Sequence, residues 1–109
     1  MTALQVRIPA VSIDSDIAND TAGVAFAIPY SKQGIDLAYQ LVYTGGPSAV
    51  SVALQVSMDN SNWVTVDAST VTAGEYVNVT GIVALLVRLY HTSRTGGTKV
   101  TGSILMGGV

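Results

Sequence analysis

One histidine, seven acidic residues and no cysteine bound the chemistry open to this 109-residue chain. Without cysteine there are no disulfides, thiolate metal sites or cysteine nucleophiles. A Ser–His–Asp triad would have to use His91, yet no nucleophile-elbow motif stands anywhere in the sequence. His91 lies beside Thr92, Ser93 and Arg94, where an exposed histidine at a strand end is expected. Asp14, Asp16 and Asp20 could approach one hard cation from a loop, but the glycine and distal glutamate of a calcium loop are missing. A solvated acidic loop is the plainer expectation. Asp59 and Asn60 fit a turn capped by side-chain to backbone hydrogen bonds. Trp63, the only tryptophan, could stack on a sugar face or pack at the rim of a core. Tyr39 and Tyr43 alternate with Leu37 and Leu41 and read as core-edge residues. No glycine-rich loop precedes a helix, so nucleotide binding has no support. Residue types therefore point away from an enzyme, and no metal or cofactor is expected.

The elements that must position these groups are strands. Over residues 35–66, Leu37, Tyr39, Leu41 and Tyr43 share one face. After the turn at Gly45-Gly46-Pro47, Val50, Val52, Leu54, Val56 and Met58 share the next, opposite Ala49, Ser51, Ala53, Gln55 and Ser57. A period of two marks a strand with one face on a core. Further strands are predicted over 24–28, 63–67, 75–80, 82–91 and 99–106, with a Gly96-Gly97 hairpin between the last two. In 82–91 both faces are apolar, which predicts a central strand whose second face, with Leu86, meets another sheet or subunit. No segment has helical periodicity. The expected fold is all-β: one antiparallel β-sandwich, jelly-roll-like, of about eight strands.

Residues 1–23 read differently from 24–109. Leu4, Val6 and Ile8 alternate, Pro9 interrupts, and Val11 and Ile13 resume before an acidic stretch. A proline in such a pattern indicates an edge strand or an extended arm; both stay open. The expected division is an arm or strand over 1–23 and a sandwich over 24–109.

Charged residues make up 11% of the chain, less than half the usual share, with a net charge of −2. No charge falls within 37–58 or 76–87. There is no basic patch for nucleic acid, no apolar run long enough for a membrane helix, and no signal-peptide pattern at Met1, so synthesis in the host cytoplasm is expected. Free sheet edges usually carry charges that block pairing. Their scarcity predicts a surface covered by other subunits, a homodimer or homotrimer. The candidate contacts are Leu4, Val6, Ile8, Val11, Ile13, Ala49, Ser51, Ala53, Gln55 and Leu86.

The stretch from Leu54 to Trp63, LQVSMDNSNW, is similar to a hairpin of small β-sandwich proteins from tailed-phage virions, in which an alternating strand, a Ser-x-Asp turn and a tryptophan come in this order. Val87-Arg88-Leu89 and Thr95-Gly96-Gly97-Thr98 continue the likeness, which spans most of residues 35–104. Carbohydrate-binding sandwiches use a related hairpin with a nearby glycine; Ser61 departs from it. The resemblance implies a capsid decoration (cementing) protein on the virion surface, with the phage's major capsid protein as partner. A tail- or fibre-associated or carbohydrate-binding module is the alternative.

Overall fold

The computed structural model describes residues 10–17, 19–28 and 34–106. Among these residues nine strands are formed: β1 (Ala10–Ser15), β2 (Asn19–Ala22), β3 (Phe26–Ala27), β4 (Ile35–Thr44), β5 (Ala49–Ser57), β6 (Trp63–Ser69), β7 (Glu75–Ile82), β8 (Leu86–Thr95) and β9 (Lys99–Met106). They make two antiparallel sheets, ordered β1-β9-β4-β7 and β2-β8-β5-β6. Strands β2 and β3 lie one after the other along the same edge of β8, so the working number is eight.

The pairing is nested. The first strand pairs with the last (β1 with β9), β2 with β8, β4 with β7, and β5 with β6 at the centre. A long hairpin folded over so that alternate strand pairs fall in opposite sheets is a jelly roll, as the alternation and turn spacing predict. The turn from β8 to β9 passes through Gly96 and Gly97, both at positive φ, which glycine adopts without steric cost. It is not the expected hairpin, because the two strands lie in opposite sheets and the turn carries the chain from one to the other.

Between the sheets lies one apolar core. Leu37, Tyr39 and Leu41 of β4 face Val52 and Leu54 of β5 and Val87 and Leu89 of β8, all nearly or fully buried. Burying each large side chain contributes about 1.5–3 kcal/mol, so these alternating faces supply the main drive to fold.

The two sides of the sandwich are closed differently. At the β1/β2 side, a bulge in β1 turns Ser12 towards the opposite sheet. The Ser12 hydroxyl donates to the Val24 carbonyl at 2.9 Å and accepts the Leu89 backbone N–H at 3.0 Å. Gly23 passes so close that a Cβ there would lie 2.6 Å from the Ser12 carbonyl oxygen and 2.7 Å from that of Leu89. Residues 10–15 are thus an edge strand of the sandwich itself, with Ile13 in the core. At the opposite side β6 and β7 are both free edges among the described residues.

Two expected elements differ. Ile82 ends β7, residues 83–85 form a connection, and β8 starts at Leu86. The strand expected over 82–91 instead spans Leu86–Thr95: Ile82, beyond Gly81 at positive φ and a register slip, still pairs with Ile35 in β7, and residues 83–85 cross to the other sheet. The acidic stretch before Gly23 contains β2 instead of being all loop, since Asn19, Thr21 and Ala22 find partners in Ser93, His91 and Tyr90.

Candidate functional site

The groups that sequence marks for chemistry are dispersed. His91 is not exposed at a strand end: it sits inside β8, fully buried at 0% exposure. The alternation of Val87, Leu89 and His91 carries it to the inner face, and β8 runs on to Thr95. Its Nδ1 lies 3.1 Å from the carbonyl oxygen of Ile17. A carbonyl only accepts, so the neutral ring carries its proton on Nδ1 and leaves a lone pair on Nε2. Burial and the charge of Arg94 hold the His91 pKa below its ordinary value.

Arg94 is also buried, its Nε donating to Gly96 O and its Nη2 to Asp16 O. Burial, and after it the charge of Glu75, push the Tyr43 hydroxyl up to about 12, against the opposing charge of Arg94. Tyr43 Oη, His91 Nε2 and Arg94 Nη1 are buried without a hydrogen-bond partner among the described residues. Among the described residues no serine hydroxyl or carboxylate is hydrogen-bonded to His91, so no triad forms there.

The acidic residues separate as well. Asp14 on β1 pairs with Lys99 at 2.9 Å and accepts from Thr101, which lowers its pKa. Asp20, on β2 in the other sheet, accepts the hydroxyl of Tyr90 on the neighbouring β8. Among the described residues no group of three or more His, Asp or Glu could hold a metal ion. Asp59 does cap its turn. Its Oδ1 accepts the backbone N–H groups of Ser61 and Asn62 at 2.9 and 2.8 Å, and these amides hold its pKa well below the carboxylate range.

Convergence occurs instead on the outer face of the β2-β8-β5-β6 sheet. The Arg88 guanidinium lies 4.0 Å over the Trp63 ring and 5.4 Å from that of Tyr90, while Arg88 Nε donates to Gln55 Oε1 at 2.9 Å. Register explains the cluster: Gln55 is opposite Arg88, Ala53 opposite Tyr90, and Ser57 opposite both Leu86 and Trp63. The face expected to be small and neutral is therefore occupied across its middle. Ala53 is buried beneath its neighbours, Gln55 is engaged by Arg88, Ser51 and Leu86 are half-buried, and only Ala49 is open. Sequence alone shows one strand's face but not which strands will flank it. Of the other candidates, Val11 is exposed and Ile13 is in the core, unavailable to a partner. Leu4, Val6 and Ile8 lie outside the described residues.

One surface escaped the sequence reading. Met58, Val64 and Val83 surround a shallow groove at one end of the sandwich, with Val56 and Ala84 on its floor. Their exposures are 63%, 61% and 67%, and Leu85, next to Ala84, adds another 55%. Val83 and Leu85 sit in an unbroken apolar run that mimics a buried strand, which is why its exposure could not be read. Isolated apolar residues on a surface mean little, but a contiguous group marks a contact site.

The chain matches no family model and no curated protein. Among solved structures it resembles the SPBc2 prophage-derived protein YomS, with a TM-score of 0.58 and 13% identity over 96% of this chain and 100% of that one. A chain from disulfide-linked pili that form Bacillus endospore appendages aligns at a TM-score of 0.42 and 13% identity, covering 97% of this chain and 93% of its own. At such identities the likeness to YomS is one of fold: this chain folds like a prophage-derived protein.

Proposed function

We propose that the chain is a structural protein of a phage particle, a decoration protein that binds the outside of the assembled capsid and stabilises it. The observation that carries this reading is the apolar end formed by Met58, Val64, Val83 and Leu85, which leaves large side chains facing solvent where a soluble monomer would place polar ones. The phage hairpin resemblance and the fold shared with a prophage-derived protein support it. The partner is the major capsid protein, and the work is mechanical. Apolar area buried against it contributes about 25 cal/mol per Å², and many copies per shell multiply a modest affinity if an oligomer spans several sites. No catalytic role, cofactor, nucleic acid or membrane enters the proposal.

A second reading, a tail-associated or carbohydrate-binding module, draws on Trp63 and Tyr90 sharing one face. Against it, Arg88 already covers one side of the Trp63 ring.

The test mixes the chain with undecorated capsids of the parent phage and counts bound copies after sedimentation. Val83→Asp and Met58→Asp are expected to lower occupancy at least tenfold while leaving the fold intact. A chain starting at Ala10, which keeps β1, reads the contribution of Leu4, Val6 and Ile8. Wild-type occupancy by both aspartate variants removes the apolar end from the mechanism. If the wild type ignores capsids but is retained by tails or glycans, the second reading replaces the first.

A further inference from the structure

We propose that two copies of this chain join edge to edge through β7, as an antiparallel strand pair about a two-fold axis at Val77. The inference does not rest on the capsid reading, since it concerns the chain in solution.

It follows from comparing the four sheet edges. Free edges are commonly blunted by bulges, charges, prolines or interruptions, because an intact one is a template for another strand. Strand β1 has Pro9 just before it in sequence, a bulge at Ser12 and the Asp14–Lys99 ion pair. The β2/β3 edge is interrupted over residues 23–25 and carries Asp20 at a positive φ of 45°. Strand β6 slips register against β5 between Leu54 and Gln55, so it too is bulged. Strand β7 has no bulge, proline or interruption over Glu75–Val79, and its one charge, Glu75, is the first residue of the strand: these five residues pair with Leu41–Leu37 without a slip, and the register breaks only beyond them. The whole of β7 contains no lysine, arginine or proline. Three edges are protected and one is not.

A second copy fits this edge because the sequence is compatible with its own reverse. With the axis at Val77, Val77 meets the second copy's Val77, Tyr76 meets Asn78, and Glu75 meets Val79. Val77 is only half-buried in one copy, since no strand among the described residues flanks it on that side. A β-branched pair across the axis would extend the core from one sandwich into the next. On the outer face, Tyr76 is 61% exposed, and its hydroxyl donates to Asn78 of the same strand at 3.1 Å. Pairing places each of these side chains beside its complement. The one charge, Glu75, has no like charge opposite it. The two Glu75 side chains stand four residues apart along the ladder, about 13 Å at the usual rise per residue, beyond the ~8 Å screening length of physiological salt.

The test is light scattering on the chain alone from about 1 to 100 µM. The expected mass is twice 11.2 kDa. Tyr76→Lys/Asn78→Lys would set lysine against lysine twice across the seam. It is expected to give a monomer with an unchanged far-ultraviolet spectrum. Because the chain has no cysteine, Val77→Cys introduces its only thiol, and mild oxidation should yield a covalent dimer; Val64→Cys on the β6 edge should not. The cysteine pair decides the matter even if the lysine variant fails to fold. A wild type that stays monomeric throughout, a folded lysine variant that stays dimeric, or a dimer in which Val77→Cys does not cross-link would each overturn the proposal.

Discussion

The Tyr39 hydroxyl on β4 donates to Oδ2 of Asp67 on β6 at 2.5 Å, a bond from one sheet to the other across the open side of the sandwich. Tyr39 is almost fully buried, and burial together with the carboxylate holds its hydroxyl protonated, its pKa well above the ordinary value. Tyr39→Phe keeps the ring but deprives Asp67 of its donor. A loss of about 1–3 kcal/mol is expected, the range for an unsatisfied buried polar group, read as a lower urea midpoint. Asp67→Asn retains an acceptor and should cost less. Equal losses in the two variants would show that the bond itself contributes little.

Gly23 makes a steric prediction at the other side. A methyl group there would meet the Ser12 Oγ at 2.4 Å, besides the two carbonyl oxygens. Gly23→Ala should cost about 2–3 kcal/mol, as overpacking does. Adding Ser12→Ala should not rescue it, because the Ser12 and Leu89 carbonyls remain and the Leu89 N–H loses its acceptor. Chemical denaturation of the two single variants and the double variant checks both claims.

His91 predicts how stability changes with pH. Its pKa lies below the ordinary 6.5 when folded, so the unfolded chain takes up the proton first. The neutral ring's contribution is complete above pH 6.5 and is lost as pH falls from there towards the folded value. Asp14 and Asp59 also have lowered pKa values, from an ordinary 3.8, so their contributions are lost only below that. Stability should therefore fall from pH 7 to about pH 5 through His91, the chain's only histidine. His91→Leu should make the urea midpoints at those two pH values coincide. An undiminished slope in that variant would locate the titrating group elsewhere.

What could be read from the sequence was local. The alternating face of Leu37, Tyr39, Leu41 and Tyr43 falls within β4, and the strand expected over 99–106 is β9, Lys99–Met106. Asp59 capped its turn because that geometry needs only its immediate neighbours. What stayed hidden was set by strands distant in sequence. Ala53 and Gln55 look like a bare neutral face until nested pairing lays Tyr90 and Arg88 beside them. His91 looks terminal until β8 is seen to continue past a bulge opposite Ser51 and Val52. Val83 and Leu85 have the composition of a buried strand, but they fall in the connection that carries the chain from β7 to the other sheet, where both are exposed.

The Arg88–Trp63 stack distinguishes a structural outer face from a ligand platform. Trp63 is half-buried, with the Arg88 guanidinium 4.0 Å over its ring and Gln55 holding Arg88 Nε from the adjacent strand. The ring is therefore shielded by a charged group with partners of its own, and a sugar would have to displace it. Arg88→Ala should raise collisional quenching of tryptophan fluorescence by acrylamide about twofold and shift emission to the red. The accompanying loss of stability should be small, about 0.5–1 kcal/mol for an exposed cation–π contact. Gln55→Ala should do the same to a lesser degree, because it removes the hydrogen bond that orients Arg88 but not the cation. If quenching in wild type already matches that of free tryptophan, Arg88 does not cover the ring in solution. Trp63 would then be open to a flat ligand, and the carbohydrate-binding reading would gain the face it needs.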